Sequence, residues 1–111
     1  MIELKSMVRY TTLADQFSLD KCNPFYPIIN ESLERIFKYI YEYTDIMYIE
    51  FINETVLYKY IKHYNDCGNN YFQQAIRDVK NYLFFLKCIK KKKDVPCVDL
   101  SVQNLELWKK I

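Results

Sequence analysis

The sequence predicts an all-α fold, a compact domain of four or five helices. Three observations lead there. The 111 residues include one Gly and three Pro, too few for the many tight turns of a sandwich or barrel. Half of the residues are apolar and 17% are aromatic, which excludes general disorder and suffices for one core without disulfides or metal. Long stretches of the chain place apolar residues at three- and four-residue steps, the spacing of a helix buried on one side.

Residues 1–30 are the least clearly patterned part of what reads as a single domain over 1–111. Met7, Val8, Leu13, Phe17 and Leu19 fit one short helix over about residues 3–17. Pro24 and Pro27 predict a bend or an extended connector. Phe25, Tyr26, Ile28 and Ile29 make that connector apolar, so it marks no domain boundary. The next helix is predicted from Asn30, a good N-cap, with Glu31 and Glu34 at the positive helix end. It runs to about Tyr43. Leu33, Ile36, Phe37, Ile40 and Met47 form its buried stripe, and Glu31, Glu34, Arg35 and Lys38 its polar side.

The stretch 44–52 is ambiguous, because MYIEF favours a strand but has no pairing partner in the sequence. Asn53 predicts the N-cap of a further helix, with Glu54 in its first turn. Val56, Leu57, Tyr60, Ile61 and Tyr64 face inward, while Lys59, Lys62 and His63 face outward. Gly68 is predicted to supply a left-handed turn. A long helix follows over about 71–91, its buried stripe made of Phe72, Ile76, Val79, Leu83 and Leu86. Phe84 and Phe85 widen that stripe, so one of them must meet a second layer or the surface. Lys90, Lys91, Lys92 and Lys93 close the helix, and Pro96 follows. Ser101 then offers an N-cap for a short last helix carrying Val102, Leu105 and Trp108.

The chemistry-bearing residues argue against an enzyme. A single Gly leaves no phosphate-cradling loop. Cys22, Cys67, Cys88 and Cys97 lack a CxxC spacing, and His63 is the one histidine, so no metal site or cofactor is expected. His63 and Cys67 lie one helical turn apart, a spacing that arises far more often by coincidence than for nucleophilic catalysis. No window holds the roughly 20 apolar residues of a membrane span, and the N-terminus lacks a secretory signal. Free thiols in a reducing cytoplasm are therefore expected over two disulfides.

The net charge of +2 hides a division of the chain. Residues 1–55 carry five Lys/Arg against nine Asp/Glu, and residues 56–111 carry eleven against five. Arg77, Lys80, Lys87, Lys90, Lys91, Lys92 and Lys93 are the candidate contacts to DNA phosphates. The plain alternative is that cations collect at a helix C-terminus because the dipole favours them there. Trp108, the one Trp, is a candidate either for pinning the tail to the core or for contacting a partner.

Two family resemblances follow from these residues. The pair NETVLYKYIKHYND and NNYFQQAIRDVKNYLFFLK resembles the core-binding, SAM-like helical domain of tyrosine recombinases, which clamps DNA with basic residues. The Arg-His-Arg-Tyr catalytic constellation of those enzymes does not fit in 111 residues, so this resemblance implies a borrowed fold without the reaction. From about Leu33 to Trp108 the chain also resembles the SwrA-like family of swarming-motility regulators. Phe37, Tyr43-Thr44-Asp45, Ile52-Asn53-Glu54 and above all the tail from Asp99 to Trp108 carry that resemblance. It implies a non-enzymatic cytoplasmic co-regulator that works with a response-regulator-type transcription factor at promoter DNA, with Leu105 and Trp108 placed for packing or for the partner. The alternative function is an oligomeric interaction or structural module, phage- or plasmid-borne, that uses its tyrosine-rich faces and ignores DNA.

Overall fold

In the computed structural model, residues 2–65, 67–96 and 98 are described. They form helices α1 (Ile2–Gln16), α2 (Tyr26–Tyr43), α3 (Glu54–Asn65) and α4 (Asn69–Phe84), and among them there is no strand. A 3₁₀ turn at Ile49–Phe51 lies between α2 and α3, and a π turn at Phe85–Ile89 continues α4. None of these helices is long and apolar enough to cross a membrane.

Helix α4 packs along both α2 and α3, and α1 rests on α2. Phe72, Ile76, Val79 and Leu86 are buried on α4, as their spacing requires, and Leu83 is half-buried. They meet Leu33, Ile36 and Ile40 of α2 and Leu57, Tyr60 and Ile61 of α3 in one core. Each fully buried side chain of this kind contributes about 1.5–3 kcal/mol through apolar burial. Phe85 goes into the core, whereas Phe84 stays half-buried and meets Phe25 edge-on at 4.9 Å. The second layer that the double Phe demands is therefore the connector before α2.

Several boundaries differ from the sequence prediction. Helix α2 begins at Tyr26, one turn before Asn30, and Pro27 sits in its first turn. A proline there gives up an N–H that has no intrahelical partner anyway. Asn23 prepares the entry, its side chain accepting the Phe25 N–H at 2.9 Å. Asn30 thus lies inside the helix, where its amide donates to Glu34 at 3.2 Å. Met47 lies beyond α2 and cannot belong to its stripe.

Asn53 does cap α3, accepting the Val56 N–H at 3.1 Å. Gly68 has a φ of 119°, the positive region that favours glycine, but its ψ of 166° is extended rather than left-handed helical. It serves as the N-cap residue of α4 instead of ending α3, and its carbonyl accepts the Phe72 N–H.

The stretch 44–52 is neither strand nor helix extension. It is a loop fastened from behind by α1. The Arg9 guanidinium donates to the carbonyls of Ile40 and Tyr41 at 3.0 Å, of Ile46 at 3.1 Å, and of Thr44. A cation there meets the negative end of α2. Gln16 donates to the Met47 carbonyl and accepts the Ile49 N–H. Leu13 and Phe17 anchor α1 in the core, while Met7 and Val8 are exposed, so the weak N-terminal pattern was only half a buried stripe.

Candidate nucleic-acid interface on α4

Arg77 and Asp78 are neighbours in sequence and face opposite ways. Asp78 is 1% exposed and lies where α2, α3 and α4 meet. Its carboxylate accepts hydrogen bonds from Ser32 Oγ (2.8 Å), Arg35 Nε (2.8 Å), Arg35 Nη2 (2.7 Å) and Tyr60 Oη (2.7 Å). Asn81 Nδ2 donates in turn to Ser32 Oγ at 2.9 Å. A buried charge is tolerated when it is paired and its lone pairs are filled, and the two-pronged Arg35 contact does both. Hydrogen bonding to Asp78 holds the Arg35 pKa above its ordinary value, against the opposing effect of burial. Burial, then the Asp78 charge, pushes the Tyr60 phenol well above the usual tyrosine range.

This cluster corrects the polar side assigned to α2. Arg35 reaches inward to Asp78, while its contact to Glu31 is a looser 3.8 Å. The signal for Asp78 was present in the sequence. Ala75, Asp78 and Tyr82 follow one another at helical steps on an otherwise apolar sector, and a lone carboxylate there needs a buried partner. Tyr82 is the contrasting case. It is fully buried and stacked on Phe17 at 5.6 Å, but its hydroxyl has no hydrogen-bond partner among the described residues. Burial raises its pKa as well.

Because Asp78 is the only carboxylate between residues 69 and 89 and is turned inward, the outer side of α4 carries cations alone. Arg77 and Lys80 are exposed there, and Lys87 is exposed on the π turn that continues the helix. Arg77 and Lys80 lie about one helical turn apart on α4, and Lys87 follows on the π turn Phe85–Ile89. Arg77 and Lys80 border a shallow depression with Gln73 and Ile76.

The lysine run is separate in character. The helix ends at Ile89 rather than near Lys91, through the π turn in which the Lys90 N–H returns to the Phe85 carbonyl at 2.9 Å. Lys91 then takes a positive φ of 53°, and the Lys92 N–H bonds back to Leu86. The four lysines thus follow the helix end instead of forming its last turn. They converge on a cavity of about 700 Å³ with an apolar floor of Ile49, Ile52 and Leu86. Glu50, Glu54 and Asp94 share its lining. Lys92 Nζ pairs with Glu50 at 3.4 Å, and Lys90 Nζ lies 5.6 Å from the centre of the Phe85 ring. Glu50 is held below its ordinary pKa, first by a backbone hydrogen bond and then by Lys92. The seven candidate cations therefore divide into Arg77, Lys80 and Lys87 along α4 and its π turn, and a mixed-charge corner after it.

The His63 imidazole packs against the rings of Tyr39, Tyr43 and Tyr64, at 5.4, 4.9 and 5.0 Å. The Cys67 thiol points to the His63 backbone carbonyl at 3.9 Å, not to its ring. Cys22, Cys67 and Cys88 are exposed free thiols. Leu105 and Trp108, the candidate partner contacts, and the short helix expected from Ser101 lie outside the described residues. Comparison with protein-family models, with curated proteins and with solved structures finds no match.

Proposed function

We propose that this protein is a non-enzymatic transcriptional co-regulator that meets promoter DNA through the outer face of α4 and acts with a partner transcription factor. The observation that carries the reading is the charge of that face. With Asp78 committed to Arg35, no carboxylate among the described residues of α4 and its π turn offsets Arg77, Lys80 and Lys87. Cations on one helical face can neutralise successive phosphates, giving weak affinity that depends on salt rather than on base sequence. Lys91 and Lys93, exposed beyond the helix, extend the contact, whereas Lys92 is already engaged by Glu50. A SAM-like core-binding arrangement and a role in motility-type genes belong to the same proposal. So do cytoplasmic location and contact of Leu105 and Trp108 with a response-regulator-type partner.

The test is anisotropy of labelled duplex DNA across a salt series, with and without the partner. Binding is expected to weaken linearly on a log–log plot of affinity against salt. No binding at any salt, alone or with a partner, overturns the reading. A stable oligomer by light scattering under those conditions would then favour the interaction-module alternative.

A further inference from the structure

The cations of α4 share their side of the helix with an aromatic ring. Gln73, Arg77, Lys80 and Phe84 follow one another at four-, three- and four-residue steps inside Asn69–Phe84, so they line one side of a regular helix. Arg77 and Lys80 are exposed, and Phe84 is half-buried. Lys80 and Phe84 are neighbours one turn apart, at roughly 6 Å along the axis. Phe84 continues the line onto Phe25, whose ring meets it edge-on at 4.9 Å and is itself 43% exposed.

Phe25 is held in place without being part of the core. Its N–H donates to Asn23 Oδ1 at 2.9 Å, and its carbonyl accepts the N–H groups of Ile28 and Ile29 at 3.0 Å. The carboxylates in the first half of α2 are engaged already, Glu31 by Arg35 and Glu34 by Asn30. A fixed, exposed ring thus stands at the end of a line of cations. Cations can answer the phosphates of any nucleic acid. A ring can answer a base only where the face of that base is open, which is the case in a single strand and not in a stacked duplex.

We propose that this surface prefers single-stranded to duplex nucleic acid, with Arg77 and Lys80 meeting phosphates and Phe25, backed by Phe84, stacking on an unpaired base. The inference rests on the polyanion reading of α4 and deepens it, because it makes the ligand at a promoter an opened strand. A membrane surface fits this side of α4 less well, since Gln73, Arg77 and Lys80 interrupt any broad apolar face.

The test is anisotropy with the full chain, comparing labelled oligothymidylate of about 20 nucleotides with a duplex of equal length at one salt concentration. The single strand is expected to bind about fivefold or more tighter than the duplex. Phe25→Leu keeps an apolar side chain against Phe84 but removes the ring. It should weaken the single strand by about fivefold or more and leave duplex binding and helical circular dichroism unchanged. Phe25→Trp should restore the preference. Equal or tighter binding of the duplex, or equal effects of Phe25→Leu on both ligands, overturns the inference and leaves the polyanion reading standing. Failure of both ligands to bind overturns the two together. Sedimentation with vesicles of equal parts phosphatidylcholine and phosphatidylserine, lost in Phe25→Leu and found in place of strand binding, also overturns the inference, by assigning the surface to a membrane.

Discussion

The two sides of α4 use charge in opposite ways. On the inner side one carboxylate, Asp78, is fully enclosed and receives four hydrogen bonds from three side chains. On the outer side Arg77, Lys80 and Lys87 are exposed. The inner charge contributes to which helices meet. The outer charges contribute almost nothing to folding, since exposed charges are worth little to stability, and so they are available for a ligand. Position on one helix thus separates an enclosed, paired charge from an exposed one, although residues 77 and 78 are adjacent.

The largest expected effect breaks the inner side. Asp78→Ala strands the Arg35 guanidinium beside a partly buried site and leaves Ser32 and Tyr60 without their acceptor. It should cost about 3–5 kcal/mol in urea unfolding, enough to threaten the fold. A smaller effect sharpens the same contrast within one residue type. Tyr60→Phe removes a hydrogen bond to a charged group and should cost about 1.5–3 kcal/mol. Tyr82→Phe removes a buried hydroxyl that has no partner among the described residues, and stability should be unchanged or raised by about 1 kcal/mol. Equal losses from the two substitutions would show that burial alone, and not the Asp78 network, sets the cost.

The same two tyrosines make stability depend on pH. Folding raises the Tyr60 and Tyr82 pKa values above the ordinary value of 10.0. A raised folded pKa gives stability that is complete below the unfolded pKa and is lost as pH climbs toward the folded one. Tm should therefore be insensitive to these groups below pH 10 and should fall above it, each tyrosine contributing up to about 1.4 kcal/mol per pH unit. The fall should be shallower in Tyr60→Phe and in Tyr82→Phe. The smallest stability effects belong to the outer side, where Arg77→Glu, Lys80→Glu or Lys87→Glu should each shift unfolding by no more than about 0.5 kcal/mol.

Much of the framework was legible in the sequence because it depends on local spacing. The stripe from Phe72 to Leu86 and the Asn53 cap need only neighbours within one or two helical turns. The start of α2 was not legible, because Pro27 has the same identity whether it breaks a helix or opens one. Asn23, which settles the matter, acts through a turn outside the helix. The Asp78 network was hidden for another reason. Its key partner, Arg35, lies 43 residues away and looked like part of a polar helix side. The lysine run shows the converse difficulty. As sequence it is four equal charges, yet the fold sends Lys92 to Glu50 and Lys90 over Phe85. The loop 45–51 was ambiguous because neither helical nor strand periodicity describes a segment held by Arg9 and Gln16 from another helix.

The central claim, that the outer charges of α4 are free of structural duty and serve a polyanion, is tested most directly by one variant read two ways. Arg77→Glu, Lys80→Glu and Lys87→Glu are combined, and urea unfolding is measured beside salt-dependent binding of duplex DNA. The account predicts a stability change of no more than about 1–2 kcal/mol. It also predicts a log–log salt slope shallower by roughly 0.9 for each phosphate that the variant no longer neutralises. A variant that unfolds, or one whose DNA binding keeps the original slope, would contradict it.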